Sequence, residues 1–272
     1  MSNKLYIASM EARSGKSVVA LGIMEMLSRR LNKIGFFRPV IPDVAMDNNI
    51  NLISSRYLLE QPYEAMYAFN HDQAQDMVAD GKYGILLKTI LGKFKALERQ
   101  CKYIVCEGTD YTGVSSAFEF DFNAEVANNL GCPVMAVLNG RGQTPADLID
   151  SVRFARESFE NHGCTIMATI VNRVDPNDAE SIEKRISAWK SNGAPVYILP
   201  EEPLLSEPTV GEIATALGCK ILQGEVDVLN REVHNIKIAA MNLPHFLDYV
   251  SDGTLIMTPG DRSDVILGCL AA

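Results

Sequence analysis

Gly15, Lys16 and Ser17 stand in a row within "ASMEARSGKSVVALG", between a short apolar run and a segment of helical period. Those residue types in that order suit phosphate chemistry. Glycine lets the backbone approach a phosphate, a lysine ammonium reaches β- and γ-phosphates, and a serine hydroxyl can ligate Mg2+. Backbone N–H groups opening the next helix add a positive end, so Ser14 and Val18 join the trio as candidate nucleotide contacts. The full pattern G-x-x-x-x-G-K-[ST] calls for another glycine where this chain has Met10. A second candidate is Glu107, directly after the largely apolar Tyr103–Cys106, where a strand would deliver a Mg2+ ligand. Arg38 also closes an apolar run, with Asp43 and Asp47 after it. So do Asn172 to Asp175, and Glu201. The plainer alternatives are a loop that keeps its fold without a ligand, a helix cap or surface carboxylate at Glu107, and an ordinary helix start at Asp47 and Asn49.

Such residues work together only if the chain brings strand ends to one edge. Short β-branched runs alternate here with longer stretches of helical period, the signature of βαβ units around a parallel sheet. Strands are expected at Leu5–Ser9, Gly35–Arg38, Tyr103–Cys106, Val134–Leu138, Ile166–Val171 and Val196–Leu199. Val19, Ile23, Met26 and Leu27 fall on one face of a helix after the loop, with Met24 and Met26 read as core filler. Residues 47–100 read as a helical excursion. Pro200, Pro203 and Pro208 mark a boundary. Beyond it lie a helix at Val210–Leu217, strands at "CKIL", "NIKIAAM" and "TLIMT", a helix around His245, and a last helix capped by Asp261 or Ser263. That helix stops while still apolar, the pattern expected of a longer protein cut short.

The bulk composition narrows the function classes. The chain has 272 residues, 47% of them hydrophobic, a net charge of −9 and a pI near 5.0. No run of basic residues appears, which argues against nucleic acid or an anionic membrane as the main partner. No apolar stretch is long enough to span a bilayer, and the start runs straight into strand-like residues without a signal peptide. The six cysteines form no CxxC pair and read as reduced cytoplasmic thiols. The four histidines show no ligand spacing, so a metal site built from protein alone is not expected.

The strings "SGKS", "FFRPV", "VCEG", "VNRVDP" and "LPEEPLLSEPTVGEI" occur in the order found in dethiobiotin-synthetase-like P-loop proteins, and the chain resembles that family. The family's loop resembles G-T-D-T-x-x-G-K-T, so Ser9 stands at its glycine, Met10 at its threonine and Glu11 at its aspartate. A closer resemblance, clearest in "LLSEPTVGEIATALGCKILQGE" and "GTLIMTPGDRSDVILGCLAA", is to the amino-terminal region of long-form bacterial phosphate acetyltransferases. That likeness implies a P-loop NTPase-like α/β domain over 1–203, a parallel sheet with helices on both faces. A small, incomplete α/β DRTGG-like domain follows over 204–272. It also implies that Gly15, Lys16 and Ser17 bind phosphate and Mg2+, that Glu107 faces the metal, and that Asn172 reads an adenine edge. Asp47 or Asn49 falls at a metal-binding aspartate. Arg38 replaces the family's lysine, which can lose its proton for carbamate chemistry as arginine cannot. The turn "EGTDYTG" carries bulkier residues where a diamino-acid substrate would lie.

Three functions follow. The first is a regulatory module binding ATP or another nucleotide with Mg2+, or a small metabolite. It would be homo-oligomeric, and its parent would carry a carboxy-terminal acetyltransferase domain. The second is an ATP-dependent carboxylase or amidoligase of the dethiobiotin or cobyrinate type. The third is a structural module with a vestigial loop. Catalytic residues of acetyl transfer are not expected in this chain.

Overall fold

Lys4–Ser9 (β1) turns its residues alternately into two apolar layers, Tyr6 and Ala8 into one and Leu5 and Ile7 into the other. A strand buried on both sides belongs inside a parallel sheet. In the computed structural model, which describes residues 3–11, 14–42, 46–109, 116–188, 194–202, 205, 207–224 and 226–271, β1 is the central strand of seven. The others are Ile34–Ile41 (β2), Tyr67–Asn70 (β3), Tyr103–Glu107 (β4), Val134–Asn139 (β5), Ile166–Val174 (β6) and Val196–Pro200 (β7). Their order is β3-β2-β4-β1-β5-β6-β7, and every pairing is parallel.

This order sets the site. From β1 the chain crosses to β2, two places away on one side, and β4 and β5 later flank β1. The carboxyl end of β1 is therefore a topological switch point, where ligands of open α/β sheets bind. The helices Lys16–Ser28 (α1) and Asn48–Arg56 (α2) pack Val19, Met24, Ile50 and Ile53 into the layer that holds Leu5 and Ile7. His71–Ala79 (α3), Tyr83–Glu98 (α4) and Ser116–Leu130 (α5) cover the other face, where Phe37 meets Phe94 edge to face at 5.6 Å. Pro145–Asn161 (α6) and Pro176–Ala188 (α7) pack Leu148, Val152 and Ile182 on Leu138, Val171 and Val174.

The chain divides by its contacts into Met1–Glu201 and Glu202–Ala272. The second unit holds Val210–Leu217 (α8), Val226–Leu229 (α9), Asn235–Ile238 (β8), Leu243–Leu247 (α10), Thr254–Met257 (β9) and Ser263–Ala271 (α11). Strands β8 and β9 pair in parallel. Ala239, Phe246 and Val265 form its buried core.

Four expectations change. Strand β3 lies in the stretch read as helical. It is four residues long, and tertiary pairing with β2 makes it a strand. Cys219–Leu222 forms no strand, because no described segment pairs with these exposed residues. Met26 is 61% exposed while Met24 is fully buried, so only Met24 fills the core. Asn235 to Met241 supplies a strand only as far as Ile238. Asp43, Pro203 and the "EGTDYTG" turn from Asp110 onward lie outside the described residues.

Candidate functional site

Gly15 precedes α1 with φ of 89°, a left-handed conformation that favours glycine. A Cβ there would also strike the Asn172 side-chain amide, which donates to the Ser14 carbonyl at 3.0 Å. The end of β6 thus clamps the loop after β1. Residues 12 and 13 lie outside the description. No side chain among the described residues caps α1, and its first N–H groups carry the partial positive charge that attracts anions.

Around this helix start the strand ends deliver a charged cluster. Lys16 is buried and donates to Ser9 Oγ at 2.8 Å. The Ser17 hydroxyl donates to Glu107 Oε1 at 2.8 Å, and the Asn49 amide reaches Ser17 Oγ at 2.7 Å and both Glu107 oxygens at 3.1 and 3.2 Å. Arg38 ion-pairs with Asp47, and its Nε lies 3.8 Å from Glu107 Oε2. Asp47 also caps α2, accepting from the Ile50 N–H at 2.9 Å.

Burial pushes the Glu107 carboxyl above its ordinary pKa, with the Arg38 cation, the Ser17 hydroxyl and Lys16 pulling the other way and Asp47 adding to the rise. Desolvation wins because Glu107 has no exposed surface. Two further buried polar atoms, Ser14 Oγ and Arg38 Nε, make no hydrogen bond among the described residues. Such atoms cost free energy unless something satisfies them.

Ser14, Gly15, Lys16, Ser17, Glu107 and Asn172 come together here, and Val18 lies nearly half exposed on the first turn of α1. The Ser17 hydroxyl and Glu107 carboxylate are hard oxygen donors facing one another, a chemistry that suits Mg2+, and the Asn49 amide donates its N–H groups to both. Both Asp47 oxygens are engaged, one by Arg38 and one as the α2 cap, and it is Asn49 that reaches Ser17.

Asn123 went unnoticed in the sequence. Fully buried on α5, it accepts from the Tyr6 hydroxyl at 2.8 Å and the Thr109 N–H at 2.9 Å, and it donates to the Thr109 and Glu119 carbonyls, each at 2.9 Å. It fixes the chain two residues past Glu107. A lone asparagine in a helical stretch carries no sequence signal of partners that distant.

Residues 3–215 match the AAA domain family and residues 212–272 the DRTGG domain. A phosphate acetyltransferase of Nitratidesulfovibrio vulgaris is 41% identical over 283 residues, covering 100% of this chain and 40% of that protein. One from Synechocystis sp. is 35% identical over 278 residues, with the same two shares. One from Escherichia coli K12 is 23% identical over 291 residues, covering 95% of this chain and 39% of that protein. The chain thus spans about 40% of the length of the curated relatives it matches. A solved apo GTPase of Pyrococcus abyssi overlaps 98% of the chain, and 95% of itself, at 14% identity and a TM-score of 0.43, a likeness too loose to bear on function.

Proposed function

This chain belongs to the AAA domain family and carries a DRTGG domain behind it, and from that premise we propose that it is a nucleotide-binding regulatory and oligomerisation module of a phosphate acetyltransferase. The acetyl transfer itself, acetyl-CoA and phosphate to acetyl phosphate and CoA, belongs in this reading to the remaining length of the parent protein. The ligand is ATP or a related nucleotide, and the module works in the cytoplasm.

The observation that carries the reading is the pair of buried atoms without a hydrogen bond among the described residues, Ser14 Oγ and Arg38 Nε, beside a helix start that no described side chain caps. A bound polyphosphate would satisfy such donors, and the helix N-terminus would favour its charge. Mg2+ entering with the nucleotide would be held by Ser17 and Glu107, and it would neutralise phosphate charge there. Asn172 would meet the base. Coupling to a neighbouring domain requires only that the ligand bind one of the neighbour's states better than another.

A vestigial loop has one observation in its favour. Lys16, Ser17, Asn49 and Glu107 already hydrogen-bond to protein groups. Carbamate chemistry on a diamino acid is disfavoured, because position 38 holds an arginine in place of a lysine and Arg38 is paired with Asp47.

The test compares the full-length parent with a form lacking residues 1–272, assaying acetyl transfer across ATP, NADH and pyruvate and measuring oligomer size. The proposal expects effector responses or oligomer size to change. Identical behaviour in both forms would leave a passive scaffold.

A further inference from the structure

The second unit brings together three side chains that the sequence holds apart. Thr209 and Glu232 form an antiparallel bridge, with the Val210 N–H donating to the Arg231 carbonyl at 2.9 Å and the Val233 N–H to the Pro208 carbonyl at 2.8 Å. In that register residue 207 stands opposite residue 234, and residues two apart on either segment share a face. Glu207, Glu232 and His234 therefore project from one face of the ribbon. One ligand atom from each lies within 4.8 Å of the other two, and His234 Nδ1 sits 2.6 Å from Glu207 Oε2.

The imidazole has a seat of its own. Gly253, with φ of 74°, lies beneath the ring, and a Cβ there would overlap His234 carbon atoms. The His234 N–H donates to the Gly253 carbonyl at 2.9 Å, so backbone and ring are both fixed against the turn before β9. Glu232 and His234 also line a surface cavity of about 820 Å³, together with Ser251, Asp252 and Thr254.

We propose that Glu207, Glu232 and His234 bind a divalent ion of borderline softness, of which Zn2+ is the type. One imidazole and two carboxylates are a three-ligand set that zinc accepts, with a fourth position open to water or a small ligand. The cavity that Glu232 and His234 line has room for such a ligand. Two carboxylates cancel the charge of a divalent ion, whereas His234 alone offsets one of them at most. Tetrahedral bonds of about 2.0–2.2 Å place ligand atoms roughly 3.5 Å apart, so His234 and Glu207 must open from 2.6 Å while every ligand atom already lies within 4.8 Å of the others. Calcium and magnesium fit less well, because they take oxygen ligands. The site is separate from the loop at Lys16 and does not depend on its reading.

The experiment uses the full chain, stripped with a chelator, without nucleotide, and titrated with Zn2+ by calorimetry and with Co2+ by visible absorption. Carriers of Cys219→Ser with Cys269→Ser remove the two thiols that are not buried as competing ligands, and Glu107→Gln removes the carboxylate beside Ser17. The expected result is one ion per chain in all of these, with Co2+ bands free of thiolate charge transfer. His234→Ala and Glu232→Gln should each weaken Zn2+ at least about tenfold, with circular dichroism unchanged. Failure to bind Zn2+ at millimolar concentration would overturn the proposal. So would an affinity that survives both His234→Ala and Glu232→Gln, or one abolished by removing the thiols.

Discussion

The Ser17 hydroxyl donates to the Glu107 carboxylate at 2.8 Å across a sequence separation of 90 residues. The contact exists because β1 and β4 are neighbours in the sheet, with Ile7 in register with Glu107. One strand end supplies the helix start and the other the carboxylate.

Replacing Glu107 by Gln reports on its desolvation. A carboxyl whose folded pKa lies above its unfolded value holds its proton more readily when folded. Its stability contribution is complete below the unfolded pKa and is lost as pH rises through the folded one. Wild type should therefore lose stability relative to Glu107→Gln as pH rises through and above the ordinary carboxylate range. Urea unfolding of both across that range measures it, and a constant difference contradicts a raised pKa.

Arg38→Met should destabilise the chain by about 3–5 kcal/mol, because it leaves the buried Asp47 carboxylate, and Glu107 beside it, without their cation. Arg38→Lys keeps the charge and should lose less. Equal losses in chemical denaturation would mean that packing, rather than charge, sets the cost.

Asn123→Ala removes two donated and two accepted hydrogen bonds from a fully buried position. With an unsatisfied buried group costing about 1–3 kcal/mol, a total loss near 3 kcal/mol is expected in urea unfolding. A loss below about 1 kcal/mol would show that water replaces these partners.

Gly15→Ala places a Cβ against the Asn172 amide in a left-handed backbone. It should cost about 1–3 kcal/mol in stability. It should also abolish nucleotide binding, since the loop must move to make room. Unaltered binding in a titration would mean that the cradle does not need its glycine.

Much of this was legible before the structure. The inner strands were readable because a strand buried on both faces is a continuous apolar run, as in Val134–Asn139. Glu107 was readable because it interrupts such a run at its end. The edge strand Tyr67–Asn70 was not, being short and set between helices. Asp47 and Asn49 could not be told apart, because two residues along the chain separate a helix cap from a side chain facing Ser17. Glu207 and His234 meet only through the Thr209–Glu232 bridge, a tertiary contact that no local spacing announces.

The central claim is that the loop at Gly15-Lys16-Ser17 holds a nucleotide. Titration calorimetry of the purified chain with ATP, ADP and GTP, each with Mg2+, tests it most directly, beside Lys16→Ala. The account predicts saturable binding of at least one of them and a loss of about tenfold or more in Lys16→Ala, roughly the 1.4 kcal/mol of one charge-assisted phosphate contact. Absence of heat for all three at millimolar concentration, or equal affinity in Lys16→Ala, would contradict it.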